Sequence, residues 1–138
     1  MPHARLELYY HVVWSTKHRE PWISANLQAP LNRFLTERAV AKGCRVIAAN
    51  CVEDHAHILF YMPPTERLSE IIKDLKGASS RKMSQEAIMD FGWQEGYSAT
   101  TLRAGDVPAV QAYVENQQLH HGSGGRIDAT LEDIPDGK

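Results

Sequence analysis

The chain has 138 residues, of which 43% are hydrophobic and 23% are charged, and 15 basic and 17 acidic side chains give it a formal net charge of −2. This balance predicts one soluble globular domain with a sizeable core, and it excludes a chain that binds nucleic acid through its overall charge alone. No apolar run reaches the ~18 residues that a membrane-spanning helix needs, and the first residues lack a signal-peptide pattern. We therefore expect a cytoplasmic protein without a membrane partner.

The first part of the chain predicts a strand, a helix and a second strand. Leu6–Thr16 is rich in β-branched and aromatic residues and predicts the first strand. Apolar side chains recur at helical spacing over about residues 24–42, and Arg45–Cys51 predicts the second strand. Because Cys44 and Cys51 are seven residues apart on one strand, we expect them to lie on opposite faces and to be unpaired, as in a reducing cytoplasm.

The next segment carries two histidines, His55 and His57, at the start of a predicted third strand. Side chains alternate between the two faces of a strand, so His55, His57 and Leu59 share one face, while the apolar residues between them face the core. The two histidines are ~7 Å apart along the strand, close enough to hold one metal ion with their ring nitrogens. The alternative is two surface histidines on the solvated face of an antiparallel sheet.

The remaining elements complete a recognisable order. A second helix begins after two prolines and reaches Met83 or beyond, Tyr97–Arg103 predicts a short strand, and Asp106 can cap a last helix. The order β-α-β-β-α-β-α predicts an α+β, ferredoxin-like (split β-α-β) antiparallel sheet with an added C-terminal helix. The histidine strand lies near the centre of that sheet. This fold hosts many unrelated activities, so function must be argued from the site.

The last predicted helix has a polar face. Tyr113 and Gln117 are one helical turn apart, and His120 and His121 lie on the same side. The alternative is a surface helix with a partly buried tyrosine. Taken together with the strand histidines, the helix supplies an amide that can complete a three-ligand divalent metal site with open positions. A tyrosine beside such a metal is suited to reversible breakage of a DNA strand, because its aryl phosphate keeps the energy of the cleaved bond.

Basic side chains form two candidate clusters for contact with a nucleic-acid backbone, one in the loop after the first strand and one on the second helix. They are Lys17, Arg19, Lys73, Lys76, Arg81 and Lys82. Such clusters can track phosphates even when the net charge of the chain is negative. The alternative is that they belong to ordinary solvated faces.

These motifs resemble those of the single-tyrosine HUH transposases, the small enzymes of insertion sequences that move as single-stranded DNA, among which are the REP-associated tyrosine transposases. His55-Ala56-His57 resembles the family's His-hydrophobic-His motif, with a small residue in the middle, and Tyr113-Val114-Glu115-Asn116-Gln117 matches its Tyr-x-x-x-Gln helix. Further matching segments are HVVWSTKHREPW, LKGASSRKM and GWQEGYSATTL. The resemblance covers about residues 8–121. We therefore expect a catalytic domain over residues 1–121 and an acidic C-terminal tail of unknown role over residues 122–138.

The resemblance implies a mechanism and its site residues. His55, His57 and Gln117 are expected to hold Mg²⁺ or Mn²⁺, and Tyr113 is expected to attack the scissile phosphate and form a 5′-phosphotyrosine. The resemblance also implies that the protein binds single-stranded DNA with a hairpin at the element ends. It further implies a homodimer in which histidines of one subunit act with the tyrosine of the other, and we expect the first strand to be the pairing edge between the two sheets.

Two other classes of function stay open. One is a metal-dependent hydrolase that binds zinc with His55, His57 and either His120 or His121, and that is indifferent to Tyr113. The other is a catalytically idle or domesticated protein that binds hairpin DNA and descends from a transposase. Replication initiators and relaxases share the chemistry of strand breakage, but those chains are larger and carry further domains.

Overall fold

The computed structural model describes residues 7–117, in which four strands and three helices follow one another in the predicted order. The elements are β1 (Tyr9–Ser15), α1 (Ala25–Ala41), β2 (Arg45–Cys51), β3 (His55–Tyr61), α2 (Leu68–Glu86), β4 (Ser98–Leu102) and α3 (Val107–Glu115). Short 3-10 turns precede α1, at Lys17–Arg19, and α3, at Ala104–Asp106. None of the helices within residues 7–117 is long and apolar enough to cross a membrane.

The four strands form one antiparallel sheet in the order β2-β3-β1-β4. This is the ferredoxin-like arrangement, in which β1 and β2 are joined through α1 and β3 lies between them, so the predicted fold class is confirmed. The histidine strand β3 is an inner strand, as expected. The prediction that the first strand is a pairing edge is wrong, because β1 forms ladders with β3 on one side and with β4 on the other. The edges of the sheet are β2 and β4.

The main core fills the space between the sheet and the two helices α1 and α2. Trp14, Ile58 and Phe60 are fully buried there, and they come from the inner strands. Leu35 of α1 and Ile72 of α2 cover them from the helix side. The alternation read from the histidine strand is therefore confirmed, because its apolar residues at positions 56, 58 and 60 all belong to this core.

The ladder between β2 and β3 changes register between Val46 and Ala48, so Ile47 is an extra residue on β2. Such a bulge reverses which side chains of a strand face the core from that point onward. The prediction that Cys44 and Cys51 lie on opposite faces is therefore wrong, because both pack into the main core, although they are unpaired as predicted. Burial raises the pKa of the Cys44 thiol to about 11 and also raises that of Cys51, so neither thiol is suited to act as a nucleophile.

Helix α3 covers the other face of the sheet. Val110 and Val114 of this helix pack against Ala48 of β2 and Leu59 of β3 in a second, smaller apolar cluster. Leu59 shares its face of β3 with the two histidines, so α3 lies on the face that carries them. This docking brings the C-terminal helix and the histidine strand together.

Candidate active site

A polar side chain of β2, Asn50, adds hydrogen bonds to the apolar contact between α3 and the sheet. Asn50 Nδ2 donates to the carbonyl oxygen of Val114 at 2.9 Å and to that of Glu115 at 3.5 Å, near the end of the helix. Asn50 is the cross-strand partner of His57, so the anchor of α3 and this histidine are neighbours on one face. The alternative of two surface histidines is wrong, because only 1% of His55 and 0% of His57 is exposed.

We expect the replacement Asn50→Ala to loosen the last turn of α3. The loss of these two contacts, and of the 3.4 Å contact from Asn32 Nδ2 to Asn50 Oδ1, should lower the free energy of unfolding by about 1–2 kcal/mol, measured by urea denaturation. Gln111→Ala is a matched control on the same helix, because its side chain contacts Glu115 at 3.1 Å in an exposed position, and its effect should stay within about 0.5 kcal/mol. An Asn50→Ala protein as stable as the unmodified one would show that α3 is held by its apolar face alone.

The two histidines of β3 lie close together, with ring centroids 4.8 Å apart and ring planes at 64°. His55 Nδ1 is 2.7 Å from the Asp54 carboxylate oxygen Oδ1. Metal-binding histidines commonly hold their second ring nitrogen against a carboxylate in this way, because the contact fixes the tautomer and the ring orientation. A metal contact by His55 would therefore use Nε2.

A third imidazole, from His11 of β1, completes the cluster. His11 Nε2 lies 3.0 Å from His57 Nδ1, and the two rings are nearly parallel, with centroids 5.2 Å apart and planes at 11°, so they meet edge to edge through these nitrogens. His11 is 1% exposed, and this burial lowers its pKa to about 4, so the ring is neutral at pH 7. Sequence reasoning missed this residue. The signal that could have found it is the alternation of β1, which puts His11 on the face opposite to Val12 and Trp14 of the core.

Tyr113 lies directly over this cluster. Its ring is edge-on to His57, with centroids 6.0 Å apart and planes at 74°, and also edge-on to His11 at 6.4 Å. Gln117 is one turn further along and fully buried, and its Nε2 donates to the Tyr113 carbonyl oxygen at 3.2 Å. The amide oxygen Oε1 is thus the atom of Gln117 that can serve as a ligand. The structure therefore brings the predicted tyrosine and the predicted histidines together within one chain.

The donor set fits a divalent cation. Both β3 histidines use Nδ1 for contacts within the protein, so Nε2 is the atom through which either would bind a metal, and Gln117 would add a neutral oxygen. Two imidazoles and one amide oxygen suit Mn²⁺ better than Mg²⁺, which prefers oxygen ligands. Within residues 7–117, no group of three His, Cys, Asp or Glu side chains is arranged to hold a metal ion. In the predicted ligand set the third donor is instead the amide of Gln117. His120 and His121 lie outside the described residues.

The first basic cluster lies next to the histidines. The turn Lys17–Arg19 places Arg19 at φ 57°, a left-handed conformation that costs on the order of 1–2 kcal/mol. Thr16 Oγ1 closes this turn by a 2.7 Å hydrogen bond to the carbonyl oxygen of Glu20, and it also lies 3.2 Å from that of Asp54. Arg19 Nη1 is in turn 3.7 Å from Asp54 Oδ2, on the carboxylate that contacts His55. The guanidinium group of Arg19 is therefore held at the border of the candidate site.

The second basic cluster lies on α2, and two of its members share one surface. Lys73 and Arg81 line an open groove together with Lys42 from the end of α1. Glu70 and Asp74 line the same groove, so its charge is nearly balanced. A phosphate backbone would meet two side chains of the predicted set here, with two carboxylates close by.

The other two members of that cluster already have partners in the chain. Lys76 Nζ donates to the carbonyl oxygens of Gln94 and Gly96, both at 2.8 Å, and burial lowers its pKa. Lys82 Nζ is 2.9 Å from Glu86 Oε1 on an exposed face. The structure therefore separates the predicted cluster into exposed cations and one half-buried lysine that holds the loop before β4.

Comparison with known proteins gives one family. The model of the family described as "Transposase IS200 like" matches residues 4–117. Among curated relatives, the ISDra2 transposase TnpA of Deinococcus radiodurans is 28% identical over 118 residues, covering 80% of this chain and 84% of that protein. The transposase for insertion sequence element IS200 of Salmonella typhimurium is 26% identical over 128 residues, covering 85% of this chain and 81% of that protein.

Solved structures give a similar result. The crystal structure of a Deinococcus radiodurans R1 protein described as a transposase superposes with a TM-score of 0.67 at 27% identity, covering 85% of this chain and 98% of that one. The structure of a REP-associated tyrosine transposase bound to a REP hairpin superposes with a TM-score of 0.65, covering 88% of this chain and 74% of that one. At 13% identity, this second similarity concerns the fold alone.

Proposed function

Because the chain belongs to the IS200-like transposase family, we propose that it cleaves and rejoins single-stranded DNA with Tyr113 as its nucleophile. The observation that carries this proposal is the contact of the Tyr113 ring with His57, at 6.0 Å between centroids. A helix tyrosine beside a buried imidazole that we propose as a metal ligand supports attack by its phenol oxygen on a phosphate bound at that site.

The proposed reaction is a transesterification. The phenol oxygen of Tyr113 forms a bond to phosphorus while the bond from phosphorus to the 3′ oxygen of the preceding nucleotide breaks. The phenol loses its proton and the departing 3′ oxygen gains one, so a 5′-phosphotyrosine and a free 3′-OH result. A phenol has an ordinary pKa near ~10, so it needs a site that favours its ionised form. A 3′-OH of another DNA end then attacks the link and releases Tyr113 without ATP.

His55, His57 and Gln117 are the residues that we propose to hold Mg²⁺ or Mn²⁺, which, when bound, would withdraw charge from the scissile phosphate and orient it. The protein's own contribution is to fix these donors before DNA arrives. Asp54 holds the ring of His55, and the hydrogen bond from Gln117 Nε2 to the helix leaves its oxygen as the ligand atom. Preorganised donors lose little freedom on binding, which favours the reaction.

We propose that the DNA backbone runs past the exposed cations of both clusters. Arg19 is the best placed, because its guanidinium lies 3.7 Å from Asp54 at the border of the site, and Lys17 is in the same turn. Lys73 and Arg81 offer the second contact region. The hairpin-bound transposase of similar fold makes hairpin DNA the first ligand to test.

The proposed contacts of basic side chains with DNA phosphates predict that hairpin affinity falls as the salt concentration rises. Lys73→Ala and Arg81→Ala should each weaken hairpin binding for every DNA sequence and reduce the slope of log affinity against log salt by about 1. Lys76→Ala is the matched control on the same helix, because its ammonium is occupied by two carbonyl oxygens, so it should lower stability and leave the slope unchanged. Fluorescence anisotropy over a range of salt concentrations measures both. If only Lys76→Ala reduced the slope, the DNA backbone would not run past Lys73 and Arg81.

We also propose that the working enzyme is a homodimer. In one chain Tyr113 lies over its own histidines, and an exchange of α3 between two chains would give the same contact between subunits. The turn before α3, Ala104–Asp106, contains Gly105, and glycine allows more backbone conformations than other residues, so this turn is the position at which we propose that the helix exchanges. Two DNA ends must be held together for strand exchange, which a symmetric dimer accomplishes.

Mixing of inactive variants tests composite sites. His57→Ala and Tyr113→Phe should each be inactive alone, whereas a heterodimer with exchanged α3 helices contains one site in which both residues are intact. Random co-refolding of equal amounts should restore roughly a quarter of the wild-type number of sites, counted as covalent adduct. Each variant refolded with itself is the control. Mixtures without activity, although mass spectrometry shows heterodimers, would mean that each site is built within one chain.

The reaction class itself is tested with single-stranded hairpin oligonucleotides derived from the DNA that flanks the gene. A covalent protein–DNA adduct that requires Mn²⁺ supports the proposal. Hairpin binding without adduct would favour the idle or domesticated binding protein. DNA hydrolysis without adduct would favour a metal-dependent hydrolase. The buried, unpaired cysteines agree with a cytoplasmic location, which we propose as the place of action.

A further inference from the structure

The imidazole of His11 contacts His57, a proposed metal ligand, at Nδ1, the ring nitrogen that would not bind the metal. His11 belongs to β1 and His57 to β3, and their nearly parallel rings meet edge to edge, with Nε2 of the first 3.0 Å from Nδ1 of the second. We propose that His11 is a positioning residue that accepts the Nδ1–H of His57 and thereby keeps Nε2 of His57 as the metal ligand. This inference rests on the metal set of the proposed function.

The tautomer of His57 follows from its ligand atom. Coordination through Nε2 requires a lone pair on that nitrogen, so the proton of the neutral ring must reside on Nδ1. At Nδ1 the neighbouring atom is His11 Nε2, which can accept this proton in a hydrogen bond. The Asp54 carboxylate makes the corresponding contact with His55, because its Oδ1 lies 2.7 Å from His55 Nδ1 and can accept the proton there. Each ligand ring is thus held at Nδ1 by an acceptor from a different residue.

His11 is poorly explained as a packing residue. Its second nitrogen, Nδ1, is buried and has no hydrogen-bond partner among residues 7–117. A buried polar atom in this state lowers stability, and an apolar ring of similar shape would not carry that cost. A histidine at this position is therefore best accounted for by what its other nitrogen does, which is to contact His57.

The scaffold makes the contact rigid. β1 and β3 are neighbouring inner strands in continuous register, with Val13 opposite His57 and His11 opposite Leu59, so the two histidines are diagonal neighbours on one face. Tyr113 covers both rings edge-on. Supports of this kind behind a metal ligand typically change metal affinity by about 10–100-fold when they are removed.

The test is Mn²⁺ binding without DNA, measured by isothermal titration calorimetry. His11→Phe keeps a ring and removes the acceptor, so Mn²⁺ affinity should fall by about 10–100-fold in a protein that is folded by circular dichroism. His11→Gln offers an amide oxygen where Nε2 stood and should recover most of that loss. His18→Phe, the same replacement at an exposed histidine, should bind Mn²⁺ as the unmodified protein does.

A second measurement needs no variant. In the Mg²⁺-loaded protein, two-bond ¹⁵N–¹H correlation spectra should show His57 protonated on Nδ1, and protonation on Nε2 would overturn the inference. Unchanged Mn²⁺ affinity in folded His11→Phe would overturn it as well, while leaving the metal site intact. If the unmodified protein bound no Mn²⁺, the metal set of the proposed function would fail, and the role of His11 with it.

Discussion

Tyr113→Phe is expected to abolish the covalent protein–DNA adduct. The replacement removes one oxygen atom from a half-buried ring on α3, so the free energy of unfolding should change by less than about 1 kcal/mol. The ring contacts with His57 and His11 need only the aromatic carbons and should persist. Loss of the attacking atom in covalent enzymes lowers the rate by on the order of 10⁶-fold, so adduct should be undetectable. Hairpin affinity should be unchanged.

Denaturing gel electrophoresis with an oligonucleotide labelled at its 3′ end measures this adduct, because the downstream fragment stays linked to the protein through its 5′ phosphate. Tyr97→Phe is the matched control, because Tyr97 is also partly buried but packs against the main core on the other side of the sheet. That variant should form adduct at the wild-type rate. A 5′-linked adduct in Tyr113→Phe would show that another tyrosine, with Tyr97 the first to test, is the nucleophile.

His57→Ala is expected to abolish Mn²⁺-dependent cleavage while hairpin binding persists. The ring is fully buried, 4.8 Å from His55 between centroids, so its removal leaves one imidazole of the pair. Because loss of residues that merely support a metal ligand costs about 10–100-fold, loss of the ligand itself should cost at least about 100-fold in cleavage rate. His55→Ala should behave alike. Gln117→Ala should be milder, since it supplies one neutral oxygen.

The replacement also removes the partner of His11 from a buried position, so unfolding must be measured beside cleavage. His18→Ala changes an exposed histidine outside the proposed metal set, so its cleavage should depend on Mn²⁺ concentration as that of the unmodified protein does. The unmodified protein in EDTA separates metal loss from misfolding, and restoring Mn²⁺ should restore its activity. Cleavage at the full rate in EDTA would mean that the histidines have a role other than binding a metal.

Local periodicity in the sequence predicted much of the site. Alternation along β3 placed His55 and His57 on the face opposite to Ile58, and the structure has them so. The spacing of four predicted that Tyr113 and Gln117 are close, and the Gln117 side chain does contact the Tyr113 carbonyl oxygen, although α3 ends at Glu115, before Gln117. Such relations are local, because 2 residues per repeat in a strand and 3.6 per turn in a helix fix the direction of each side chain. The order of elements likewise predicted the ferredoxin-like fold, because connection rules leave few arrangements.

Relations between elements were decided by the tertiary structure. β1 proved to be an inner strand of the sheet. Which strands lie at the edges depends on which strands pair with each other, and no local sequence pattern indicates this pairing. The bulge at Ile47 returned Cys51 to the core and turned Asn50 toward α3. The sequence does not reveal it, because residues 46–49 are all apolar and show no alternation there. The packing of α2 against the loop before β4 likewise gave Lys76 two carbonyl partners.

His11 shows the same division most clearly. Its sequence separation of 46 residues from His57 gives no hint of contact, and its position in β1 predicts only the face on which it lies. The register of β1 against β3 then brings His11 Nε2 to 3.0 Å from His57 Nδ1, and the docking of α3 adds the ring of Tyr113 to the cluster. The sequence determined the chemistry of each element. The pairing of strands and the packing of α3 decided which side chains share one buried site, because these contacts depend on register and shape far apart in the chain.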